Sequence, residues 1–365
     1  MTLTLREGDA DAFFGAPFEI YGREVGYVSP MKADIRRMLD ASRNPLWTSG
    51  NPFRFWTAHR DGRMTGRIIA HLHRQSDEIH GTNKALFGFF DCARDDESAT
   101  ALLDAACDFA LSHGRSALVG NFNLTAMQQI GIQTGGFGRE AYTDMITGPG
   151  YLPDLLERNG FRRTFPMTTF EIELADVRVP PAAGKDASHG FTFAPVERGT
   201  FPERMDEARR ILNAGFAGNP MFVPLTEEEF LFQADGMTTI LDPRLSSIML
   251  HEGDPIGAVI CIPDVNRLLT ATRSRIGLLT PFHYLRHRLS RKRAVLVFYS
   301  VRPEWHGQGV MPAMLARTIH ALRDAGYERV GGTWISDENH ASLRQIEKVG
   351  AKPLHRLHLF RKDLA

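Results

Sequence analysis

The chain has 365 residues, 43% hydrophobic and 24% charged, and its 43 Lys+Arg balance its 43 Asp+Glu. That is a globular composition rather than a disordered or fibrous one, and at roughly 150 residues per domain it predicts two domains. With no net field to draw nucleic acid or a membrane surface, neither is an expected partner. Three cysteines, Cys92, Cys107 and Cys261, are far apart and lack metal-ligand spacing, which suits buried thiols in a reducing compartment and no metal. The opening stretch MTLTLREGDADAFF has no apolar targeting core, and no run approaches the roughly 18 apolar residues of a membrane span. The expected location is cytoplasmic.

Taken in chain order, the first half offers a hairpin at 61–68, where Asp61-Gly62 forms the turn and a second glycine, Gly66, follows four residues later. A strand at 86–92 runs into Ala93-Arg94-Asp95-Asp96-Glu97-Ser98, an acidic start for the next helix. Such side chains cap a helix and repel anions. That helix ends in glycine before another strand, LLDAACDFALSHGRSALVGN, and Leu155–Phe161 repeats the pattern of a glycine-capped helix end. Phe55, Trp56, Phe87, Phe89 and Phe90 read as core aromatics. Residues 177–190, VRVPPAAGKDASHG, are poor in apolar side chains and rich in Pro, Ala and Gly, as a linker is.

The second half repeats three of these segments in the same order. The hairpin returns at 252–259 with Glu252-Gly253 and Gly257. The helix–glycine–strand unit returns as MLARTIHALRDAGYERVGGT, and the glycine-capped helix end as Gln345–Ala351, before a closing hairpin. Between them the patterns predict strands at 191–197, 247–251, 256–262, 294–301 and 329–336, with further strands in 353–361. Helices are predicted at 202–216, 226–234, from Val310 with a stripe of Met311, Met314, Ile319 and Leu322, and at 341–349. A duplicated α/β fold follows, a mixed sheet with helices on both faces in each half. About 27 residues, 267–293, interrupt the second copy with a basic run that includes Arg288, Arg291 and Arg293. That run fits a solvated face, a grip on phosphate or an acidic substrate, or a docking site for an acidic carrier protein. Its apolar part, 276–282, suits a lid or wall.

The functional signal is concentrated at His306-Gly307-Gln308-Gly309, between a strand and a helix. Glycines there let a ligand approach the backbone, and the helix start offers free N–H groups and a positive dipole end. This is a site for a pyrophosphate. It is not a P-loop, since Val310-Met311 stand where Lys-Ser/Thr would be, nor a dinucleotide fingerprint, which needs a third glycine.

Strand, glycine turn, helix, next strand and Asp337-Glu338-Asn339 together resemble the GNAT superfamily of acyl-CoA N-acyltransferases. The resemblance implies a duplicated GNAT fold: residues 1–176 a degenerate copy without the CoA loop, 177–190 a linker, and 191–365 the copy that binds acyl-CoA. It implies acetyl-CoA or another acyl-CoA as co-substrate and a small amine held between the halves. On this resemblance the CoA site comprises Ser300, Val301, His306, Gly307, Gln308, Gly309, Val310, Met311, Asn339 and Ser342. Asn339 suits a plain helix cap as well. His306 and Met311 depart from the usual loop residues, and Ile346 stands where the family places a tyrosine as general acid. The candidates left for acid or base are Tyr299, alone among ionisable side chains on its strand, Asp337 beyond the next, and Glu304, His283 and His306. Two alternatives share these residues: a CoA-binding protein without turnover, and an acyltransferase whose donor is an acyl carrier protein.

Overall fold

The computed structural model describes residues 2–22, 26–178 and 190–364. Most of the expected linker, 179–189, lies outside them. The first half supplies β1 (Leu3–Glu7), β2 (Phe53–Arg60), β3 (Arg63–His71), β4 (Lys84–Cys92), β5 (Ala117–Gly120), β6 (Ile132–Gly135) and β7 (Arg162–Glu173). The second supplies β8 (Phe191–Pro195), β9 (Ser247–His251), β10 (Asp254–Pro263), β11 (Arg293–Val301), β12 (Arg329–Ser336) and β13 (Lys352–Asp363). They form one 13-stranded sheet in the order β1-β2-β3-β4-β5-β13-β7-β12-β11-β10-β9-β8, with β6 paired to β13 off this path.

That order reads alike from both ends. Each half contributes an antiparallel hairpin, β2–β3 or β9–β10, and one parallel pair, β4–β5 or β11–β12. The closing strands do not form the hairpin expected after residue 351. Instead β13 pairs with β5 of the first half, Phe360 opposite Gly120, and β7 pairs with β12 of the second, Phe170 opposite Gly332. The two closing strands lie antiparallel at the centre of the sheet. Each half thus lends the other its closing strand, because the alternation of buried residues in β7 and β13 serves faces that belong to both copies.

The repeated glycines have matching jobs. Asp61 and Gly62 (φ 49° and 82°), like Glu252 and Gly253 (φ 51° and 91°), make tight left-handed turns whose twist suits a two-residue hairpin. Gly66 and Gly257 lie beneath the helices Asp96–Ser112 and Val310–Asp324: a Cβ on Gly66 would sit 2.5 Å from Leu102 Cδ1, and one on Gly257 2.4 Å from Met314 Sδ. The helix after β11 buries Val310, Met314, Ile319 and Leu322 against that half's sheet, close to the predicted stripe. In the first half Leu102, Leu103 and Ala106 pack on Ile68 and Ala70.

The halves differ where their parallel strands part. In the first, β4 and β5 are paired only as far as Phe87 and Gly120, and the chain that follows fills the gap. Asn123 Oδ1 and Asn121 Oδ1 accept from the N–H groups of Phe89 and Phe90 at 2.8 and 3.0 Å, and Phe122 O approaches so closely that a Cβ on Gly88 would collide with it. Behind this wedge lies a buried ion pair, Arg67 to Asp91 at 2.7 Å, with Tyr21 and Tyr27 as hydrogen-bond partners. The acidic turn after β4 is likewise occupied by its own chain: Asp95 caps the helix through Ser98, and Arg60 bonds Asp95 and Glu97. No helix among the described residues is long and apolar enough to cross a membrane.

Candidate active site

In the second half β11 and β12 pair in parallel from Arg293–Arg329 to Leu296–Gly332 and then diverge. Burial falls at the same point. Ala294 and Val295 are fully buried, whereas Val297, Phe298, Tyr299, Thr333 and Trp334 are half-buried. The strands stay fixed on their outer sides, β11 to β10 up to Val301 and β12 to β7 up to Ser336. The wedge is therefore built into the sheet, and Thr333 Oγ1 donating to Val297 O at 3.2 Å bridges its throat.

At the mouth of the wedge β11 ends in the turn that the sequence singled out. Trp305 holds it down, its ring 4.7 Å from His251 and 5.8 Å from Phe191 on the neighbouring strands. Gly307 and Gly309 take φ of 78° and 80°, which non-glycine residues adopt only under strain. His306–Gly309 are exposed, and a Cβ on either glycine would meet nothing within 4 Å. Gly309 starts the helix Val310–Asp324 without a side-chain cap, and Pro312 in its first turn brings no N–H. Among the described residues the N–H groups of Gly307, Gly309, Val310 and Met311 have no hydrogen-bond partner. Free donors, a positive helix end and open space above two glycines suit an anionic diphosphate. The residues present therefore fit the pyrophosphate and pantetheine arm of a CoA thioester.

The other expected site residues are placed as follows. Tyr299 donates its hydroxyl to Met311 O, tying the middle of β11 to the helix start, and burial pushes the phenol above its ordinary range. Ser300 is buried and turned toward the helix Phe201–Gly215, 3.5 Å from Ile211 O, and Val301 is buried with its carbonyl 3.2 Å from His306 Nε2. Gln308 donates to Glu304 O. Asn339 caps the helix His340–Lys348 by accepting from Ser342 N at 3.0 Å. Asp337 is held by Arg356 at 2.7 and 2.5 Å, and that guanidinium keeps its carboxyl below the usual range. An ionised, paired carboxylate is a weak base, so its evident task is to fix β12 against the centre of the sheet.

Of the three arginines, Arg293 is buried between Asp264 and Glu140 and stacks on Tyr142, while Arg291 reaches Asp242 at 2.6 Å. Only Arg288 points its charge to solvent. The acidic partners lie far off in sequence, so the run itself gave no sign of them. Tyr299→Phe is expected to lower stability by about 1 kcal/mol, the worth of one internal hydrogen bond, measured by urea denaturation. The maximal rate of acyl transfer should stay within about threefold; a loss of about a hundredfold would make the phenol the acid.

A narrow cleft, open to solvent, lies between the halves. Leu46, Leu86, Phe122 and Leu124 line it from the first, Met221 and Leu225 from the second, with His73, Lys84 and Glu229 as its ionisable groups. It adjoins the wedge: Met127 on its wall packs on the same apolar cluster as Val297 and Phe298, and Met221 on that of Trp334. Sequence reading missed these residues because their apolar character is that of any core.

Residues 209–351 match the Acetyltransferase (GNAT) family. The C-terminal half carries a GNAT domain. Protein YghO of Escherichia coli (strain K12) is 26% identical over 372 residues, 99% of this chain and 94% of that protein. The bacterial ceramide synthase of Caulobacter vibrioides is 24% identical over 367 residues, covering 96% and 94%. A tandem GNAT protein from the clavulanic acid biosynthesis pathway superposes with a TM-score of 0.59 at 15% identity, over 99% of this chain and 98% of that one. A GCN5-related N-acetyltransferase from Sphaerobacter thermophilus gives 0.53 at 15% identity, over 99% and 95%. At such identities the likeness is one of fold. It places the GNAT domain within a tandem arrangement, the architecture the internal repeat predicted.

Proposed function

We propose that the protein transfers an acyl group from an acyl-CoA, acetyl-CoA being the simplest, to a primary amine lodged in the cleft between its halves. The observation that carries this reading is the β11–β12 wedge ending in the uncapped turn 307–311, with its free N–H groups. Those groups would hold the pyrophosphate, and the strand edges of the wedge would receive the pantetheine amides. The thioester supplies an activated carbonyl, which the amine attacks directly once the two are aligned. The amide C–N bond forms, the C–S bond breaks, and CoA leaves as the thiol with the proton the amine gives up. Alignment by a rigid wedge and an adjoining cleft supplies much of the rate. Met127, Met221 and Phe298 present half-buried apolar side chains where the cleft adjoins the wedge.

One relative is named a ceramide synthase. A ceramide is the amide of a long-chain amino alcohol, so that name describes N-acylation of an amphiphilic amine. The apolar side chains that line the cleft, Leu46, Leu86, Phe122, Leu124, Met221 and Leu225, support an acceptor of this class.

The test is release of free CoA thiol from acetyl- and palmitoyl-CoA against a panel of small amines and long-chain amino alcohols. Amine-dependent release with a long-chain acceptor is the expected result, together with a rise in melting midpoint on adding acyl-CoA. No thermal shift with any CoA species would sink the reading. Binding without release across the panel would favour a CoA-binding protein without turnover, to which Ile346 in the usual acid position lends weight. Release from an acyl carrier protein alone would move the donor.

A further inference from the structure

The insertion between β10 and β11 contains a helix, Thr280–Ser290, that is turned inside out. His283, Tyr284 and His287 form its half-buried face, with Tyr284 donating to Thr239 O at 3.1 Å. Phe282, Leu285 and Leu289 share the opposite face and are 63%, 55% and 81% exposed. The approach to the helix continues the ridge, with Ile276, Leu278 and Leu279 at 78%, 101% and 68%. Among the exposed large hydrophobic side chains of the described residues, these six dominate. A globular protein rarely exposes so many large apolar side chains within one short stretch without a partner.

Charge identifies the partner. Arg286 and Arg288 flank the apolar stripe on its two sides, one residue beyond Leu285 and one before Leu289. Both are exposed and make no ion pair among the described residues. Lys292 is paired with Glu328, and Arg273 and Arg275 stack on Phe18 and Phe14. The free charge beside the stripe is therefore that of Arg286 and Arg288, and no acidic residue occurs between Asp264 and Glu304. The apolar side chains protrude as a ridge instead of lining a groove, which suits a fluid partner that closes around them better than a folded protein with a fixed surface. An apolar stripe bordered by arginines is the pattern of a helix lying in the interface of an anionic bilayer.

We propose that this ridge docks the protein on an anionic lipid surface, Phe282, Leu285 and Leu289 entering the acyl boundary and Arg286 and Arg288 meeting the headgroups. The balanced net charge gave no expectation of this, because the attraction is local to one insertion. The inference stands apart from the acyl-transfer reading and survives its failure.

Co-sedimentation tests it, with vesicles of equal parts phosphatidylglycerol and phosphatidylethanolamine against vesicles of phosphatidylcholine. The wild type should pellet with the anionic vesicles only, and less as salt is raised. Leu285→Glu/Leu289→Glu should weaken partitioning at least about tenfold, and Arg286→Glu/Arg288→Glu by a similar factor. Phe282→Ser/Leu289→Ser provides a milder pair, and unchanged melting midpoints would show that all three fold, as exposed positions allow. Wild-type protein that stays in the supernatant, or apolar-face variants that bind undiminished, would overturn the proposal. So would a concentration-dependent dimer, or capture by an acidic carrier protein, lost in the same variants while vesicle binding is absent.

Discussion

Gly309→Trp should abolish stabilisation of the protein by acyl-CoA and lower the melting midpoint of the unliganded protein by only a few degrees. At about 100 times its dissociation constant a ligand adds about 2.7 kcal/mol to stability, and the variant should gain none of it. Gly309 sits at φ 80° in an exposed turn, and the space above it is open, so the side chain disturbs no packed neighbour. The backbone strain costs roughly 1–2 kcal/mol. The indole then occupies the volume over the free N–H groups of Gly307 and Val310 that a diphosphate would need. Gly138→Trp is the control, since Gly138 has φ 82° and open space in a loop away from this turn. Thermal melts with and without acyl-CoA decide it: an equal ligand-induced shift in wild type and variant would remove the turn from the binding site.

The second large effect is structural. Arg67→Met should destabilise the protein by about 3–5 kcal/mol, because it strands a buried carboxylate. Arg67 is 1% exposed and bonds Asp91, Phe13 O and Tyr27 at 2.8, 2.8 and 2.7 Å, with its guanidinium 4.8 Å from the Phe13 ring centre. After the substitution Asp91 keeps only the Tyr21 hydroxyl, at 2.8 Å. The melting midpoint should fall by roughly 10 °C, read by calorimetry. Adding Asp91→Leu should restore much of the loss, since an apolar pair needs no solvation. Acyl-CoA affinity should not change in either variant. A tenfold weaker affinity would mean that the filled wedge of the first half shapes the open wedge of the second.

The contrast between those wedges explains what could be read from the sequence. The hairpins, the glycine turn and the helix stripe at Met314, Ile319 and Leu322 are local signals, set by residues within a few positions of one another, and they were legible. So was the capped helix start after β4, which Asp95 and Glu97 announce. Asn121 and Asn123 were not recognised as fillers of the first wedge, because their partners at Phe89 and Phe90 lie about thirty positions away. Arg291 and Arg293 appeared as a basic run because Asp242, Asp264 and Glu140 come from other elements. The exposed ridge was hidden for the opposite reason. Phe282, Leu285 and Leu289 have the spacing of an ordinary buried face, and only the packing of His283, Tyr284 and His287 beneath them shows which way the helix lies.

The exchanged closing strands also bear on how the chain is made. β13 is the last of the thirteen strands to leave the ribosome, yet its place is between β5 and β7, in the middle of the sheet. Until it arrives, both of those strands present open edges that pair readily with other chains. The contact between Phe360 and Gly120 spans most of the sequence, and such long-range pairing slows folding. The first half is translated early but cannot be completed early. The sheet closes from both flanks toward a centre that is filled last.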